Sequence, residues 1–328
     1  MTETKMEYSF LRADCKLTRT DALDILSLPD VALPALLDRS FVLRKAHRGM
    51  KVGVQLLTNA RSGDCTQNCA YCAQAADATS AIEKYRLVDE EKLADDNALV
   101  GKKKFARHCI GFSGLRFTDD EINTFAERIR RLKTKSATPI CCSIGFLTEF
   151  QARSLKDAGV DRINHNLNTS RAHYPSICTT HTWDERVANL RMLKAIGFEI
   201  CCGGILGMGE SREDVCDLLF SIRELEPEAV PINFLIPLAG TRLEGTDTSD
   251  LTPEYCLKIL ALARLLLPNS DIRCAAGREV YLSGREREMF MAVDSIFASG
   301  YLTADGQGID DTLRMIRAAG FDPVLESA

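Results

Sequence analysis

The sequence predicts an α/β protein, a (β/α)8 barrel of the TIM type preceded by a short helical extension. From residue 53 onward, eight short apolar runs alternate with amphipathic stretches. Several of the runs are apolar on both faces, as parallel strands covered by helices are. Eight strand–helix units within about 265 residues match such a barrel in count and in length. We therefore expect residues 1–52 to form the extension, with short helices over 21–28 and 34–47, and residues 53–328 to form the barrel.

The strand candidates are apolar runs bounded by turn residues. In chain order they are GVQLLTNA (53–60), FARHCIGFSG (105–114), TPICCSIG (138–145), RINHNLN (162–168), EICCGGILG (199–207), VPINFLIP (230–237), DIRCAAGRE (271–279) and SIFASGY (295–301). In such a barrel the carboxyl ends of all the strands meet at one rim, where active sites gather. Residues that follow a strand are therefore the first candidates for function.

Start and stop signals delimit helices between these strands. Thr118 with Glu121, and Thr182 with Glu185, match the capping box, in which two side chains cap the first turn of a helix. Residues 183–196 then repeat apolar side chains at three- and four-residue spacing, which gives one face to pack against a sheet. Further signals are a proline at a first helical position and glycines after helical runs: Pro253, Gly159, Gly197 and Gly320.

Composition excludes several classes of function. The formal net charge of −5 gives no sign of nucleic-acid binding. The N-terminal residues lack the apolar run of a signal peptide and no later stretch is long enough to cross a bilayer, so we expect a cytoplasmic protein without membrane contact. Thirteen cysteines are many for that compartment, where disulfides rarely persist, and they point to metal or redox chemistry. Four of them we expect to be small core residues: Cys15, Cys178, Cys216 and Cys256.

Three cysteines stand within eight positions in GDCTQNCAYCAQ, residues 63–74, directly after the first strand candidate. Thiolates at Cys65, Cys69 and Cys72 could bind zinc or an iron–sulfur cluster. A structural zinc needs four ligands, and no histidine or cysteine nearby in the sequence supplies the fourth. A cubane of four irons held by three cysteines leaves one iron open for another ligand. The spacing therefore favours a cluster, with a zinc knuckle or three buried thiols as the alternatives.

The triplet has an aromatic residue, Tyr71, directly before its last cysteine, and in this it resembles the signature of the radical S-adenosylmethionine superfamily. The resemblance implies a 4Fe–4S cluster whose open iron chelates the methionine portion of S-adenosylmethionine. An electron from the cluster then breaks the sulfonium carbon–sulfur bond and releases a 5′-deoxyadenosyl radical. Tyr71 would lie beside this cofactor.

The resemblance becomes narrower downstream of the triplet. INHNLNTS (163–170), GGILGMGE (203–210), VPINFLIP (230–237) and AAGRE (275–279) are similar in order and spacing to the biotin synthase family, and the similarity runs from about residue 40 to the C-terminus. It implies the insertion of sulfur into dethiobiotin to make biotin, with one deoxyadenosyl radical attacking each of the two carbon–hydrogen bonds. It also implies an electron donor such as flavodoxin or ferredoxin, and a homodimer.

Amide side chains are the candidate substrate ligands. Asn164, Asn166 and Asn168 alternate along the fourth strand candidate, so we expect them to share the face that lines the barrel. An amide offers both donors and acceptors, which suit a cyclic urea or a ribose diol. By resemblance, Asn166 and Asn233 hold the ureido ring and Asn166 also touches the cofactor ribose. Asn168 stands where family members often carry an aspartate that binds the ribose hydroxyls.

Further positions are assigned to S-adenosylmethionine. In GGILGMGE, Gly203 and Gly207 would let the backbone approach a ligand closely, although glycines at strand ends are also common in turns. Ile205 can pack against adenine. Arg186 matches a family position that reaches the methionine carboxylate, and this assignment rests on the resemblance alone.

A second, auxiliary cluster is implied by the family, in which three strand cysteines and one arginine hold it and it supplies the inserted sulfur. The corresponding residues here are Cys109, Cys141, Cys201 and Arg273. The chain adds three more strand cysteines at Cys142, Cys202 and Cys274. Neighbouring residues of a regular strand point to opposite faces, so these should pack outward. A bulge at IRCAAG would instead turn Cys274 inward and could support a four-iron cluster in place of the family's 2Fe–2S cluster.

Two other readings remain open. Another radical enzyme on the same barrel, such as a methylornithine synthase or a hydrogenase-maturation protein, should lack the set Cys109, Cys141 and Cys201. A non-catalytic iron–sulfur or zinc protein would leave the asparagine face and the glycine motif without a purpose.

Overall fold

A computed structural model describes residues 16–298, 300, 302 and 306–324 of the 328-residue chain. Its strands are β1 (Lys51–Arg61), β2 (Arg107–Phe112), β3 (Ile140–Ser143), β4 (Arg162–Asn164), β5 (Glu199–Cys201), β6 (Gly204–Leu206), β7 (Ala229–Phe234), β8 (Asp271–Cys274), β9 (Ser295–Phe297) and β10 (Asp322–Val324). They form one sheet in which the order follows the chain from β1 to β9 and β9 pairs back to β1. All the strand pairings are parallel. With β5 and β6 as one interrupted position and β10 paired to the start of β1, the ring has eight strand positions and is the closed barrel that the sequence predicts.

Helices surround the barrel. They are α1 (Arg19–Leu26), α2 (Leu33–Arg48), α3 (Glu90–Lys103), α4 (Asp119–Lys135), α5 (Glu149–Asp157), α6 (Tyr174–Ile177), α7 (Trp183–Ile196), α8 (Arg212–Leu225), α9 (Pro253–Leu266), α10 (Arg278–Tyr281), α11 (Glu286–Met289) and α12 (Ile309–Ala318). The helices α1 and α2 lie against α8 and α9 on the outside of the barrel. The two N-terminal helices predicted over 21–28 and 34–47 are thus present, each shifted by one or two residues.

The predicted helix signals are found in the structure. Both capping boxes form, at the starts of α4 and α7, and Thr252 caps α9 with proline at its first position. Gly197 ends α7 with a φ of 96°, a left-handed conformation that costs glycine little. Val187, Leu190 and Leu193 form the buried stripe of α7. Among the described residues, no helix combines the length and the apolar character needed to cross a bilayer.

The fifth strand position is interrupted between β5 and β6. A Cβ atom at Gly203 would lie 1.9 Å from the carbonyl oxygen of Pro231, so only glycine allows the chain to pass this close to β7. The Gly203 N–H does not bond to a neighbouring strand and instead donates to the side-chain Oδ1 of Asn166 at 3.0 Å. The interruption therefore exchanges a strand hydrogen bond for a contact to a residue predicted to bind ligands.

Buried ion pairs tie β9 to the helices outside the barrel. Asp294 pairs with Arg264 of α9 and also accepts the backbone N–H of Ile272 at 2.9 Å. Arg44 of α2 lies 4.0 Å from the same carboxylate and donates to the Val293 carbonyl at 2.9 Å. The arginines are fully buried and Asp294 is 4% exposed. Such charges are tolerated only as a paired, hydrogen-bonded set.

We expect Asp294→Asn to destabilise the protein by about 3–5 kcal/mol, because the two buried arginines then lose their shared counter-charge. Urea unfolding followed by circular dichroism measures the change. Asp310→Asn is the matched control, since Asp310 is 82% exposed and its pair with Lys103 is screened by water. Equal stabilities of the two variants would contradict the role given to Asp294.

Candidate functional site

A cavity of about 370 Å³ opens at the carboxyl ends of the barrel strands. This volume suits a small-molecule ligand. The cavity brings together most of the residues predicted from the sequence: Cys65, Cys69, Tyr71, Cys72, Cys109, Cys141, Asn166, Asn168, Arg186, Ile205, Asn233 and Arg273. Four predicted residues do not line it: Cys201, Gly203, Gly207 and Cys274.

The cysteine-bearing loop after β1 is clamped to the rim from both sides. Gly63 has a φ of 76°, and its N–H donates to the side chain of Gln74 at 2.9 Å. Its carbonyl accepts the Ser113 hydroxyl at 2.6 Å. Further along the loop, the Ala70 N–H donates to the carbonyl of Ile177 at 2.9 Å. These hydrogen bonds therefore fix the position of the loop at the mouth of the cavity.

The three rim thiols Cys65, Cys69 and Cys72 are half-buried and all line the cavity. A turn joins the last two, with the Cys72 N–H donating to the Cys69 carbonyl at 3.0 Å. Burial raises the pKa of the Cys72 thiol to about 11, although nearby backbone N–H groups partly offset this. Three thiols that converge on one open cavity fit a cluster held at three corners and accessible at the fourth.

A fourth thiol lies beside them, which the sequence did not predict. The Cys178 sulfur is 3.8 Å from the Cys69 sulfur and 3.3 Å from Nδ1 of His181. The expectation that Cys178 is only a small core residue is therefore wrong: it is buried, but among polar groups. Cys216 and Cys256 do lie in the apolar core, as expected. Cys15 is outside the described residues.

Arg186 of α7 places a buried positive charge at the cavity wall. Its guanidinium donates to the Tyr174 hydroxyl at 2.6 Å and to the Asn166 carbonyl at 2.9 Å, and Nη2 lies 2.8 Å from Nε2 of His181. No carboxylate of the described residues forms an ion pair with it. Burial works against its charge, but nearby hydroxyl and thiol groups hold the pKa above its usual value. A buried cation without an acidic partner fits an anionic ligand group.

The asparagines of the fourth strand reach the cavity by a different path from the predicted one. The strand β4 ends at Asn164, and His165 lines the cavity as well, so a regular alternation over the whole segment is wrong. Asn168 has a left-handed backbone with a φ of 70°, which aims its side chain at Tyr71. Its Nδ2 donates to the Tyr71 hydroxyl at 2.8 Å. The turn, rather than the strand period, gathers the amides at one wall.

The Asn233 side chain bridges two neighbouring segments at the rim. Its Nδ2 donates to the Gly204 carbonyl at 3.0 Å, and its Oδ1 accepts the Ala276 N–H at 3.1 Å. An amide has a second N–H and a second lone pair at these atoms. Asn233 can therefore hold a ligand while the protein fixes its orientation.

The glycines of the GGILGMGE motif have packing reasons. A Cβ at Gly203 would collide with β7, as described above, and a Cβ at Gly207 would lie 2.5 Å from the Leu251 side chain. Both close approaches are to protein atoms, which corrects the expectation that these glycines admit a ligand. Ile205, between them, does line the cavity.

Deeper in the barrel, three thiols face one another: Cys109, Cys141 and Cys201. They form a separate buried cluster, and Cys109 and Cys141 are direct partners in the β2–β3 register. Cys109 donates to the side-chain Oε1 of Gln55 at 3.1 Å, and the Asn164 side chain donates to the Cys201 sulfur at 3.1 Å. Gln55 is a residue that sequence reasoning missed, because a glutamine in a strand carries no distinctive signal.

Arg273 completes this deeper group. Its Nη1 lies 3.9 Å from the Cys201 sulfur, and its other nitrogens contact Ser295 at 3.1 Å and Asp271 at 3.3 Å. Burial lowers the pKa of Arg273, but the thiols of Cys201 and Cys109 and the Asp271 carboxylate outweigh it and raise the pKa. Three thiols around a buried arginine fit the ligand set expected for an auxiliary cluster.

The three additional cysteines point away from the barrel interior. Cys142, Cys202 and Cys274 all belong to the main apolar core between strands and helices. The strand β8 pairs with β7 in regular register up to Ile232 and Cys274. The structure thus contradicts the proposed bulge, and Cys274 is not placed to replace Arg273.

Comparison with known proteins gives a consistent result. Residues 61–222 match the model of the radical SAM superfamily, and residues 231–322 match that of the biotin and thiamin synthesis associated domain. The chain is 41% identical to the biotin synthase of Salinibacter ruber over 94% of this chain and 86% of that protein. It is 40% identical to the biotin synthase of Geobacillus kaustophilus over 94% of this chain and 92% of that one.

Solved structures share the fold at lower identity. Methylornithine synthase matches with a TM-score of 0.79 and 18% identity, over 96% of both chains. The FeFe-hydrogenase maturase of Carboxydothermus hydrogenoformans matches with a TM-score of 0.82 and 16% identity, over 96% of this chain and 78% of that one. These likenesses show the barrel fold alone.

The relatives at about 40% identity, matched over nearly their whole length, decide the family. The chain belongs to the biotin synthase family of radical S-adenosylmethionine enzymes.

Proposed function

We propose that this enzyme converts dethiobiotin to biotin, with sulfur taken from an auxiliary iron–sulfur cluster inside the barrel. The observation that carries the proposal is the presence of two separate thiol groups in one cavity. Cys65, Cys69 and Cys72 lie at its rim, and Cys109 and Cys141 line its depth. A substrate between them would meet a radical source on one side and a sulfur source on the other.

The rim residues would hold the first cluster and S-adenosylmethionine, which together supply a 5′-deoxyadenosyl radical. Arg186 offers its unpaired charge to the methionine carboxylate, as the family resemblance implies. Asn168 and Tyr71 already share a hydrogen bond at the same wall, where a ribose hydroxyl can join them. Ile205 gives an apolar surface for the adenine ring.

Two amides would orient dethiobiotin. Asn166 and Asn233 are each anchored by backbone contacts, Asn166 through the Gly203 N–H at 3.0 Å. Anchoring fixes the direction of the remaining donors and acceptors, so that little side-chain entropy is lost when the ureido ring binds. Correct placement of the carbons relative to the radical source depends on this rigidity.

The deeper group, Cys109, Cys141, Cys201 and Arg273, would hold the auxiliary cluster, which supplies the inserted sulfur. Because Cys274 packs outward, we propose the 2Fe–2S cluster of the family rather than a larger one. The contacts of the buried Arg273 with Asp271 and Ser295 hold its guanidinium in place beside these thiols.

Two partner assignments rest on the family resemblance. We propose a homodimer that receives electrons from flavodoxin or ferredoxin, in the cytoplasmic location expected from the sequence.

The direct test is anaerobic incubation of the reconstituted enzyme with S-adenosylmethionine, a reductant and dethiobiotin. Mass spectrometry should find biotin and one 5′-deoxyadenosine for each of the two carbon–hydrogen bonds broken. Formation of 5′-deoxyadenosine without biotin would favour another radical enzyme on this barrel, and formation of neither would favour a non-catalytic cluster protein.

We expect Ala substitution of Cys65, Cys69 or Cys72 to abolish 5′-deoxyadenosine formation, because three thiolates leave no spare ligand for the cluster. Cys216→Ala, in the core of α8, is the control and should keep the activity. Cys178 lies 3.8 Å from Cys69, so Cys69→Ala is also made together with Cys178→Ala to remove a substitute thiol. Undiminished cleavage by the double variant would refute the ligand assignment.

A second prediction concerns Asn233. Asn233→Leu should weaken dethiobiotin binding by about 1–3 kcal/mol, since it removes a buried polar partner of the ureido ring. Equilibrium dialysis compares this loss with the loss for S-adenosylmethionine, which should be much smaller. Asn189→Leu is the control, because Asn189 also accepts a backbone N–H, that of Leu147 at 3.3 Å, but does not line the cavity. Similar losses for both ligands would make Asn233 a structural residue only.

A further inference from the structure

The contact between Cys69 and Cys178 has no part in the reaction described above, in which Cys69 acts only as a cluster ligand. Their sulfur atoms lie 3.8 Å apart, although the residues are 109 positions apart in the chain. Cys69 is half-buried at the rim of the cavity, whereas Cys178 lies behind it and is 3% exposed. One thiol of the pair therefore faces solvent and the other is sheltered.

The protein backbone holds the two thiols together. The residues next to them, Ala70 and Ile177, share a backbone hydrogen bond of 2.9 Å. Arg242 reinforces this contact, because its guanidinium donates to the carbonyls of both Asn68 and Ile177, at 2.5 and 2.9 Å. The two chain segments that carry the thiols are therefore fixed relative to each other.

The surroundings of Cys178 fix its side chain as well. Its sulfur lies 3.3 Å from Nδ1 of His181, 3.4 Å from the Thr180 hydroxyl and 3.5 Å from the side-chain Oδ1 of Asn68. In addition, Arg186 lies 2.8 Å from the other ring nitrogen of His181 and so holds the ring in place. Cys178 is therefore poised toward Cys69 by polar contacts on its other sides.

We propose that Cys178 is a resolving thiol, which forms a reversible disulfide with Cys69 whenever the rim cluster is lost under oxidising conditions. While the Cys69 sulfur is bound to iron, it is not available to form the disulfide. The proposal depends on the proposed cluster site only for its biological consequence, since formation of the bond needs only the two thiols and an oxidant.

The chemistry takes two steps with a peroxide as oxidant. Hydrogen peroxide oxidises the more exposed Cys69 thiol to a sulfenic acid, with cleavage of the O–O bond and release of one water. The Cys178 thiol then attacks that sulfur and displaces a second water, which leaves a disulfide. The two sulfur atoms, now 3.8 Å apart, have to approach to about 2.05 Å to form the disulfide.

The consequence is protection of a cluster ligand. A sulfenic acid without a nearby thiol is oxidised further to sulfinic acid, which thiol reductants do not reverse. A disulfide is not oxidised further in this way, and a dithiol can reduce it. Cys69 can then bind iron again. The ligand at Cys69 would thus survive loss and reloading of the oxygen-sensitive cluster.

The first experiment maps the bond in the full-length protein. Loaded enzyme is treated stepwise with hydrogen peroxide, free thiols are alkylated, and tryptic peptides are analysed by mass spectrometry. Trypsin leaves the rim cysteines in residues 62–84 and Cys178 in residues 172–186, so the bond appears as one cross-linked pair. The same treatment of a Cys65→Ser/Cys72→Ser variant assigns the bond to Cys69. A dominant bond within residues 62–84, or no cross-link, would overturn the proposal.

The second experiment tests the protective role. Protein is oxidised, reduced with dithiothreitol and reconstituted, and its iron content is compared with that of an unoxidised sample of the same variant. Cys178→Ala should recover about threefold less iron than wild type, because Cys69 is then oxidised beyond sulfenic acid. Cys216→Ala should recover as wild type does. Equal recovery by Cys178→Ala and wild type would show that the disulfide, if formed, protects nothing.

Discussion

The alternation of side chains along parallel strands is the constraint on which the deeper thiol group depends. In each of the doublets Cys141–Cys142 and Cys201–Cys202, the first cysteine faces the barrel interior and the second faces the helices. Regular pairing between strands preserves this orientation. A register shift of one residue would turn every inward side chain outward and every outward one inward. The barrel thus selects which cysteines can act as ligands, and the additional ones become core residues.

The charged side chains near the interior thiols also favour a role for these thiols as ligands. Beneath the interior thiols, Glu199 binds both Arg107 and Arg162, at 2.9 and 2.8 Å, and Asp271 contacts Arg273. This layer of side chains beneath the thiols contains two carboxylates and three guanidinium groups, so its net charge is positive. Nη1 of Arg107 is buried without a hydrogen-bond partner. An excess of positive charge stabilises neighbouring thiolates, so the layer suits a site that holds anionic ligands.

Much of this organisation could be predicted from local patterns. Strand count, helix caps and the rim triplet depend on neighbours a few residues apart, and the structure contains each of them. The contact between Cys69 and Cys178 was not predictable, because it depends on how two loops meet across the cavity mouth. The role of Gly203 was also missed, since a glycine pattern does not show whether protein or ligand atoms require the space. The early end of β4 had no signal, because the polar residues after it keep an alternating pattern.

The most direct test compares two neighbouring residues of β3. Iron and sulfide are counted after anaerobic reconstitution of wild type, Cys141→Ala and Cys142→Ala. The account predicts about six irons per chain in wild type and in Cys142→Ala, and about four in Cys141→Ala, because only the inward thiol holds the two-iron cluster. About eight irons in wild type, or a loss of iron in Cys142→Ala equal to that in Cys141→Ala, would contradict it.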